Sequence, residues 1–148
     1  MVRETQIDTF SRFTQVSRET IISLKIYENK LINSNKKLNL IGKSTIDNIW
    51  IRHFLDSAQV IDFIDKNDIK ICTDIGSGAG LPGVVLGILM RQKKPVFKMI
   101  FYEKSYHKSN FLKEMAQKYK LNSKICKKNI FNETNLKTDV IISRAFKP

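Results

Sequence analysis

The chain has 148 residues, 42% of them hydrophobic, which is enough for a globular domain with its own core. Its net charge is +12, and its two cysteines, Cys72 and Cys126, are expected to be buried, reduced thiols rather than a disulfide or metal site. No apolar run has the length of a membrane span, and the N-terminus lacks the apolar core of a signal peptide. We therefore expect a cytoplasmic protein with no membrane partner.

The excess positive charge lies mostly in one segment of the sequence. Residues 91–128 carry 12 basic and two acidic side chains, whereas residues 1–70 carry 11 basic and nine acidic ones. A local excess of this kind favours a polyanionic partner, and RNA is the natural candidate. Solvated lysines on exposed helix faces would give the same count, so charge alone leaves RNA binding open.

Residues 1–66 are predicted to form an N-terminal helical extension. Apolar residues recur at helical spacing from position 21 to position 31, and Ser17 is a candidate cap for that helix. The polar segment 33–40 is predicted to be a turn. A second helix is predicted to begin at residues 44–47, where Ser-Thr-Ile-Asp resembles a capping box with Asp in place of Glu.

From residue 67 onward the pattern alternates between strands and helices, which predicts a parallel sheet covered by helices. The predicted elements are strands at 69–74, 96–102, 123–126 and 139–143 and helices at 80–91 and about 105–120. Ligands of such sheets bind beyond the carboxyl ends of the strands. We therefore expect residues 67–148 to form a Rossmann-like α/β core that binds a nucleotide cofactor.

The segment DIGSGAGLPG at residues 74–83 is expected to be the cofactor-binding loop. Its four glycines let the backbone turn tightly and approach a ligand closely. The register D-x-G-x-G-x-G that starts at Asp74 is typical of methyltransferases that use S-adenosylmethionine (AdoMet). A dinucleotide fingerprint would need a glycine where Leu81 stands, which disfavours a nicotinamide-dependent oxidoreductase.

Two acidic residues are candidate contacts of AdoMet. Asp74 is expected to meet the methionine ammonium, directly or through water, while Gly76 and Gly78 leave room for the amino-acid tail and the ribose. Glu103 follows the second predicted strand, where an acid can accept both ribose hydroxyls. An ordinary ion pair between Glu103 and Lys104 is the alternative.

Five short segments add a more specific pattern: NKKLNL at 35–40, RHFLDS at 52–57, DIGSGAGLPG at 74–83, KSNFL at 108–112 and SRAF at 143–146. The second segment and the Gly-Leu-Pro-Gly end of the third are the most specific. In order and spacing, these segments resemble the bacterial glucose-inhibited division protein B family, the small-subunit ribosomal RNA guanine-7 methyltransferases. The resemblance covers the chain from about residue 27 onward.

This resemblance implies AdoMet-dependent methylation of a guanine at ring position 7, with small-subunit (16S) ribosomal RNA or the assembling 30S particle as partner. By their places in the family motifs, Gly76, Leu81, Asn129, Ile130 and Arg144 would contact the cofactor. Family members usually place an acid where Ile130 stands, so only backbone N–H groups could contact adenine there. For Asn129, an ordinary turn residue is the alternative.

Asn39, Arg52 and His53 are the predicted RNA contacts, with a surface ion pair between Arg52 and Asp56 and a core-packed His53 as the alternative. Arg144 either binds the cofactor or grips the RNA phosphate or the guanine edge. No residue is required as an acid or base, because guanine N7 already carries the lone pair that attacks the methyl group. Catalysis then depends on alignment, for which Arg144 is the candidate positioning residue.

The family sheet has seven strands, whereas four are predicted before Pro148. We therefore expect the last three strands and their helices to be missing from this chain. Two functions stay open at this point: the methyltransferase itself, and a non-catalytic remnant that binds RNA or the ribosome.

Overall fold

A computed structural model describes residues 1–146 and contains a four-stranded parallel sheet with helices packed against it. The strands are β1 (Ile71–Ile75), β2 (Lys98–Tyr102), β3 (Ser123–Cys126) and β4 (Val140–Ser143). Their order across the sheet is β3-β2-β1-β4, so the strand that precedes the glycine loop lies between two neighbours. The predicted Rossmann-like α/β fold is confirmed, with β1 and β2 each beginning two residues later than expected.

Helices precede the sheet and connect its strands. They are α1 (Arg3–Thr14), α2 (Arg18–Leu38), α3 (Asp56–Ala58), α4 (Ile61–Lys66), α5 (Gly83–Lys93) and α6 (Tyr106–Lys118). Two 3-10 segments, Lys43–Asn48 and Ile130–Asn132, and a π-helical segment, Trp50–Leu55, complete the described chain. Among residues 1–146, no helix is long and apolar enough to cross a membrane.

The two predicted helix starts differ in outcome. Ser17 caps α2 as expected, because its hydroxyl accepts a hydrogen bond from the Thr20 N–H group at 3.2 Å. The capping box at residues 44–47 is wrong: a 3-10 segment begins there after Gly42, with no side-chain cap. The N-cap is Gly42 rather than Ser44, and the Thr45 N–H group bonds to the Gly42 carbonyl at 2.9 Å, which gives the segment its 3-10 pattern.

The predicted turn at residues 33–40 is also wrong for most of its length. Helix α2 continues to Leu38, and Asn39 closes it in the left-handed conformation with φ 49°. Asn35 is buried, and its amide donates to the Ile41 carbonyl at 3.0 Å and accepts from the Ile41 N–H at 2.9 Å. The polar segment is therefore a helix end whose asparagine supplies hydrogen bonds to the chain that leaves it.

The helical extension and the sheet share one apolar core. Tyr27 of α2 stacks on Phe54 with ring centroids 5.5 Å apart, and both belong to the cluster that includes Leu86 of α5 and Phe101 of β2. The Tyr27 hydroxyl also donates to the carbonyl of Ala79 in the glycine loop. Helix α2 therefore helps to hold the loop as well as to cover the core.

This bond gives a test of stability with a matched control. Tyr27→Phe leaves the buried Ala79 carbonyl without its donor, and we expect the free energy of unfolding to fall by about 1–2 kcal/mol. Tyr119 is also buried, but its hydroxyl has no hydrogen-bond partner among the described residues. We therefore expect Tyr119→Phe to leave the free energy of unfolding unchanged. Urea unfolding measures both variants, and equal losses would contradict the role given to the Tyr27 hydroxyl.

Candidate functional site

Two adjoining cavities lie at the carboxyl ends of the strands, beside the glycine loop (residues 76–83). The first cavity, of about 240 Å³, is lined by residues that include Tyr102, Glu103, Lys104, Asn129 and Ile130. The second cavity, of about 300 Å³, is lined by residues that include His53, Ser77, Gly78, Leu81 and Arg144. Gly76, Lys108 and Ala145 line both. Small-ligand sites typically enclose about 300–1,000 Å³, so the two cavities together have the size of such a site.

Gly76 stands where the two cavities meet, and its position requires a glycine. Its φ is +67°, which side-chain-bearing residues rarely adopt. A Cβ atom there would also lie 2.6 Å from Cδ2 of Phe146, whose ring packs over the loop. The Phe146 ring thus fills the space beside Gly76, and contact of this glycine with a ligand stays a prediction.

Asp74, at the end of β1, is fully buried beneath the loop. Its Oδ2 accepts a hydrogen bond from the Gly83 N–H group at 3.0 Å, and its Oδ1 has no partner among the described residues. Burial raises its pKa to about 7; the Gly83 hydrogen bond opposes that shift and the nearby Glu103 charge adds to it. Asp74 lines neither cavity. One carboxylate oxygen is thus bonded to the loop backbone, and contact of Asp74 with a methionine ammonium, directly or through water, stays a prediction.

Glu103, just after β2, has its carboxylate between the glycine loop and α6. Its Oε2 accepts from the Gly78 N–H at 2.8 Å and its Oε1 from the Ser105 N–H at 2.9 Å. The alternative ion pair with Lys104 is not formed in the described structure. Each carboxylate oxygen keeps a further lone pair, so Glu103 can still accept hydrogen bonds from a ligand in the first cavity.

Asn129 and Ile130 form the far wall of the first cavity, after β3. The Asn129 side chain accepts from the Phe131 N–H at 3.0 Å and so caps the short 3-10 segment Ile130–Asn132. Asn129 is thus a turn residue and a cavity residue at once. Both residues line the first cavity, and their contact with adenine stays a prediction.

Arg144 and His53 meet in the second cavity. The Arg144 guanidinium donates through Nη2 to the Arg52 carbonyl at 3.1 Å, and its Nε lies 3.7 Å from Oδ2 of Asp56. Asp56 therefore pairs with Arg144 rather than with Arg52. His53 is buried, with Nε2 2.7 Å from the Thr45 hydroxyl. Burial, and after it the Arg144 charge, lowers its pKa to about 4, so the imidazole is neutral near pH 7.

Two of the predicted RNA contacts lie apart from the cavities. Asn39 is exposed at the end of α2, and the Arg52 side chain is exposed on the π-helical segment. Neither residue lines a cavity; Arg52 contributes its backbone carbonyl to Arg144. Their contact with RNA stays a prediction.

Three lysines at the site were not singled out by the sequence. Lys108, at the start of α6, lines both cavities, and Lys104 and Lys128 line the first. Lys128 pairs with Glu133 at 2.7 Å, and this hydrogen bond is the main reason that the pKa of Glu133 falls to about 2. The charge excess of residues 91–128 and the KSNFL segment were the available signals, but neither says which lysines reach the loop.

The cysteines form no disulfide among the described residues. Cys72 is buried as expected, whereas Cys126 is only half-buried, and both are free thiols. Within residues 1–146, no group of three or more His, Cys, Asp or Glu side chains is placed to hold a metal ion.

Comparison with known proteins agrees with this geometry. The family model described as rRNA small subunit methyltransferase G matches residues 20–148. The chain belongs to this family. It is the family that the five sequence segments resemble, so that prediction is confirmed.

Several relatives carry the name ribosomal RNA small subunit methyltransferase G. The Pelagibacter ubique protein is 44% identical over 135 residues, which cover 90% of this chain and 63% of that protein. The Jannaschia sp. protein is 37% identical over 131 residues, 88% of this chain and 62% of the relative. The chain thus spans a little under two thirds of the length of the relatives that it matches.

A solved structure supports the fold. It is described as a Plasmodium falciparum protein-L-isoaspartate O-methyltransferase in complex with S-adenosyl-L-homocysteine. It superposes with a TM-score of 0.51 and is 18% identical in sequence. The match covers 89% of this chain and 65% of the Plasmodium falciparum chain. The architecture built here is therefore one that methyltransferases use.

The buried Asp74 carboxyl predicts a pH dependence of stability. Its pKa rises from 3.8 to about 7 on folding, so the folded protein holds this proton more tightly than the unfolded chain. That contribution to stability is fully present below about pH 4 and is lost as the pH rises toward 7. We expect the free energy of unfolding to fall over this range relative to Asp74→Asn, which keeps an oxygen for Gly83. Urea unfolding at several pH values measures the difference, and parallel profiles for the two proteins would contradict it.

Proposed function

We propose that this protein uses AdoMet to methylate N7 of a guanine in small-subunit ribosomal RNA, in the cytoplasm. The proposal rests on one arrangement: Gly76 of the glycine loop lines both a cavity that includes Glu103 and an adjoining cavity that includes His53 and Arg144. A nucleotide cofactor and a target base need adjoining spaces of this kind. The names of the relatives supply methyl transfer and the RNA class, and the family resemblance of the sequence segments supplies guanine N7.

The residues of the first cavity suit the adenosine part of AdoMet. Glu103 would accept the ribose hydroxyls, and the backbone at Asn129 and Ile130 would lie along the adenine ring. Gly76, Gly78 and Leu81 border the second cavity, where they would hold the methionine part. Asp74 would stabilise the loop through its hydrogen bond to Gly83.

The cations around the cleft suit an RNA partner, either free or within an assembling 30S particle. Lys104 and Lys108 line the first cavity and have no ion-pair partner among the described residues, so they are available to phosphates. Arg144 lines the second cavity, where a guanidinium can bind a phosphate or a base edge. N7 lies in the major groove, which is deep and narrow in an RNA helix, so access to it favours single-stranded and loop regions.

The reaction requires alignment of guanine N7 with the methyl group rather than proton transfer. Bound AdoMet would supply the methyl group, which the N7 lone pair takes up directly while the bond to sulfur breaks. His53 is neutral near pH 7, yet no proton has to leave N7, so we assign His53 no general-base role. Arg144, held by Asp56 and the Arg52 carbonyl, is the residue that we propose to position the base.

Cofactor binding is tested by calorimetry with S-adenosylhomocysteine. Gly76→Val introduces a strained backbone and a clash with Phe146, and we expect binding about tenfold weaker or lost. Gly42→Ala is the control, because Gly42 also borders the second cavity but an added Cβ would meet nothing closer than 3.8 Å. If the wild-type protein gives no binding signal with AdoMet or S-adenosylhomocysteine, the proposed function is wrong for this chain.

Methyl transfer is tested with labelled AdoMet and small subunits from a strain that lacks the corresponding modification. We expect label in the small-subunit RNA, at guanine N7, identified by mass spectrometry of nucleosides after digestion. Label at any other atom would refute the assigned product. Binding of the cofactor and the subunit without transfer would favour the non-catalytic remnant.

A further inference from the structure

The hydrogen bonds around Thr45 determine which nitrogen of His53 carries the proton. The Thr45 hydroxyl has one hydrogen, and it donates that hydrogen to the Gly42 carbonyl at 2.7 Å. Toward His53 Nε2, also 2.7 Å away, the hydroxyl can therefore only accept. The proton of the neutral imidazole is thus on Nε2, and Nδ1 is left as a bare acceptor.

That acceptor is buried and unused. His53 is 6% exposed, lines the second cavity, and its Nδ1 has no hydrogen-bond partner among the described residues. A buried polar atom without a partner costs about 1–3 kcal/mol, so one placed beside a ligand cavity points to a ligand group that completes it.

An unused donor lies on the same cavity. The Arg144 guanidinium is held through Nη2 and Nε by Arg52 and Asp56, but its Nη1 is buried without a partner among the described residues. The second cavity is therefore bordered by one residue with a free acceptor and one with a free donor. The Arg144 charge also contributes to the lowered pKa of His53, which agrees with the two side chains being close together.

We propose that this pair recognises the target guanine, with His53 Nδ1 accepting from its N1–H group and Arg144 Nη1 donating to its O6. The proposal rests on the guanine methylation proposed above and names how that base is selected. N1–H and O6 are adjacent on the ring, and binding them leaves N7 free to meet the methyl group. Adenine presents the opposite pattern, a bare N1 and an amino group, so it would leave both protein atoms unpaired.

Both atoms are covered before the base arrives, so recognition includes a side-chain movement. The Arg144 side chain is 32% exposed and its ion pair with Asp56 is long, at 3.7 Å. This exposed pair and the exposed bond to the Arg52 carbonyl each contribute little energy, so the guanidinium can turn toward an entering base. His53 stays fixed by Thr45 and supplies the rigid half of the pair.

Base analogues test this recognition directly. Once the methylated guanine has been mapped, small-subunit RNA is ligated with inosine or 2,6-diaminopurine at that position. Inosine keeps O6 and N1–H, and we expect it to be methylated at a rate close to that of guanine. Diaminopurine keeps N7 but inverts the donor and acceptor pattern, and we expect kcat/KM to fall about tenfold or more. Equal rates for guanine and diaminopurine would overturn the proposal, as would an inosine rate as low as that of diaminopurine.

Thr45 variants test the fixed tautomer. Thr45→Val keeps the shape but removes the acceptor for Nε2–H, so we expect a mixture of tautomers and about tenfold slower RNA methylation, while Thr45→Ser restores the wild-type values. The chain has two histidines, so ¹⁵N-histidine spectra report the tautomer, with His107→Gln as the assignment control. Binding of S-adenosylhomocysteine should stay unchanged in both Thr45 variants.

The outcomes separate this proposal from the proposed function. If the wild-type protein transfers no methyl group to guanine, the proposed function fails and the recognition proposal falls with it. If it methylates guanine but Thr45→Val is as active as Thr45→Ser, or His53 carries its proton on Nδ1, only the recognition proposal is wrong.

Discussion

The glycine loop keeps its shape because buried side chains from three elements bond to its backbone. Asp74 at the end of β1 accepts from Gly83, Glu103 after β2 accepts from Gly78, and Tyr27 of α2 donates to Ala79. Glycines at positive φ have no side chains to fix the chain, so the conformation has to be imposed by neighbours. The loop is therefore fully formed only when β1, β2 and α2 are packed together.

This arrangement has an electrostatic consequence. Asp74 and Glu103 lie close enough that the charge of Glu103 helps to raise the pKa of Asp74, and burial raises it further. Two carboxyls beneath and beside one loop are unfavourable when both are ionised, unless a positive charge lies near them. A cationic ligand above the loop would favour the ionised form of Asp74. The same groups that shape the loop thus also favour a cofactor that carries an ammonium and a sulfonium.

Local sequence signals predicted the sheet, the loop and the acid after β2, because alternation and the register of glycines are properties of neighbouring residues. They failed where a residue's partner is distant or unexpected. Asn35 reads as a turn residue, but it is buried against Ile41. The bond of Asp74 to the Gly83 N–H group, nine residues later, was likewise not indicated by the sequence. The pairing of Asp56 with Arg144 joins residues far apart in the chain, and no spacing rule could have indicated it.

The helical extension builds one wall of the second cavity, which explains why family-specific segments lie both in the extension and after β4. Arg3 of α1 pairs with the buried Glu28 of α2 at 2.8 Å, and Glu28 accepts from the Trp50 ring N–H at 2.9 Å. Trp50 opens the π-helical segment that carries His53 and the Arg52 carbonyl, so this buried chain of contacts sets where Arg144 is held. Glu28 is buried, so removal of Arg3 would leave its charge without an ion-pair partner, which makes the position of this wall hard to change. The extension thus shapes the second cavity through His53 and holds the glycine loop through Tyr27, so a change in the extension would affect both.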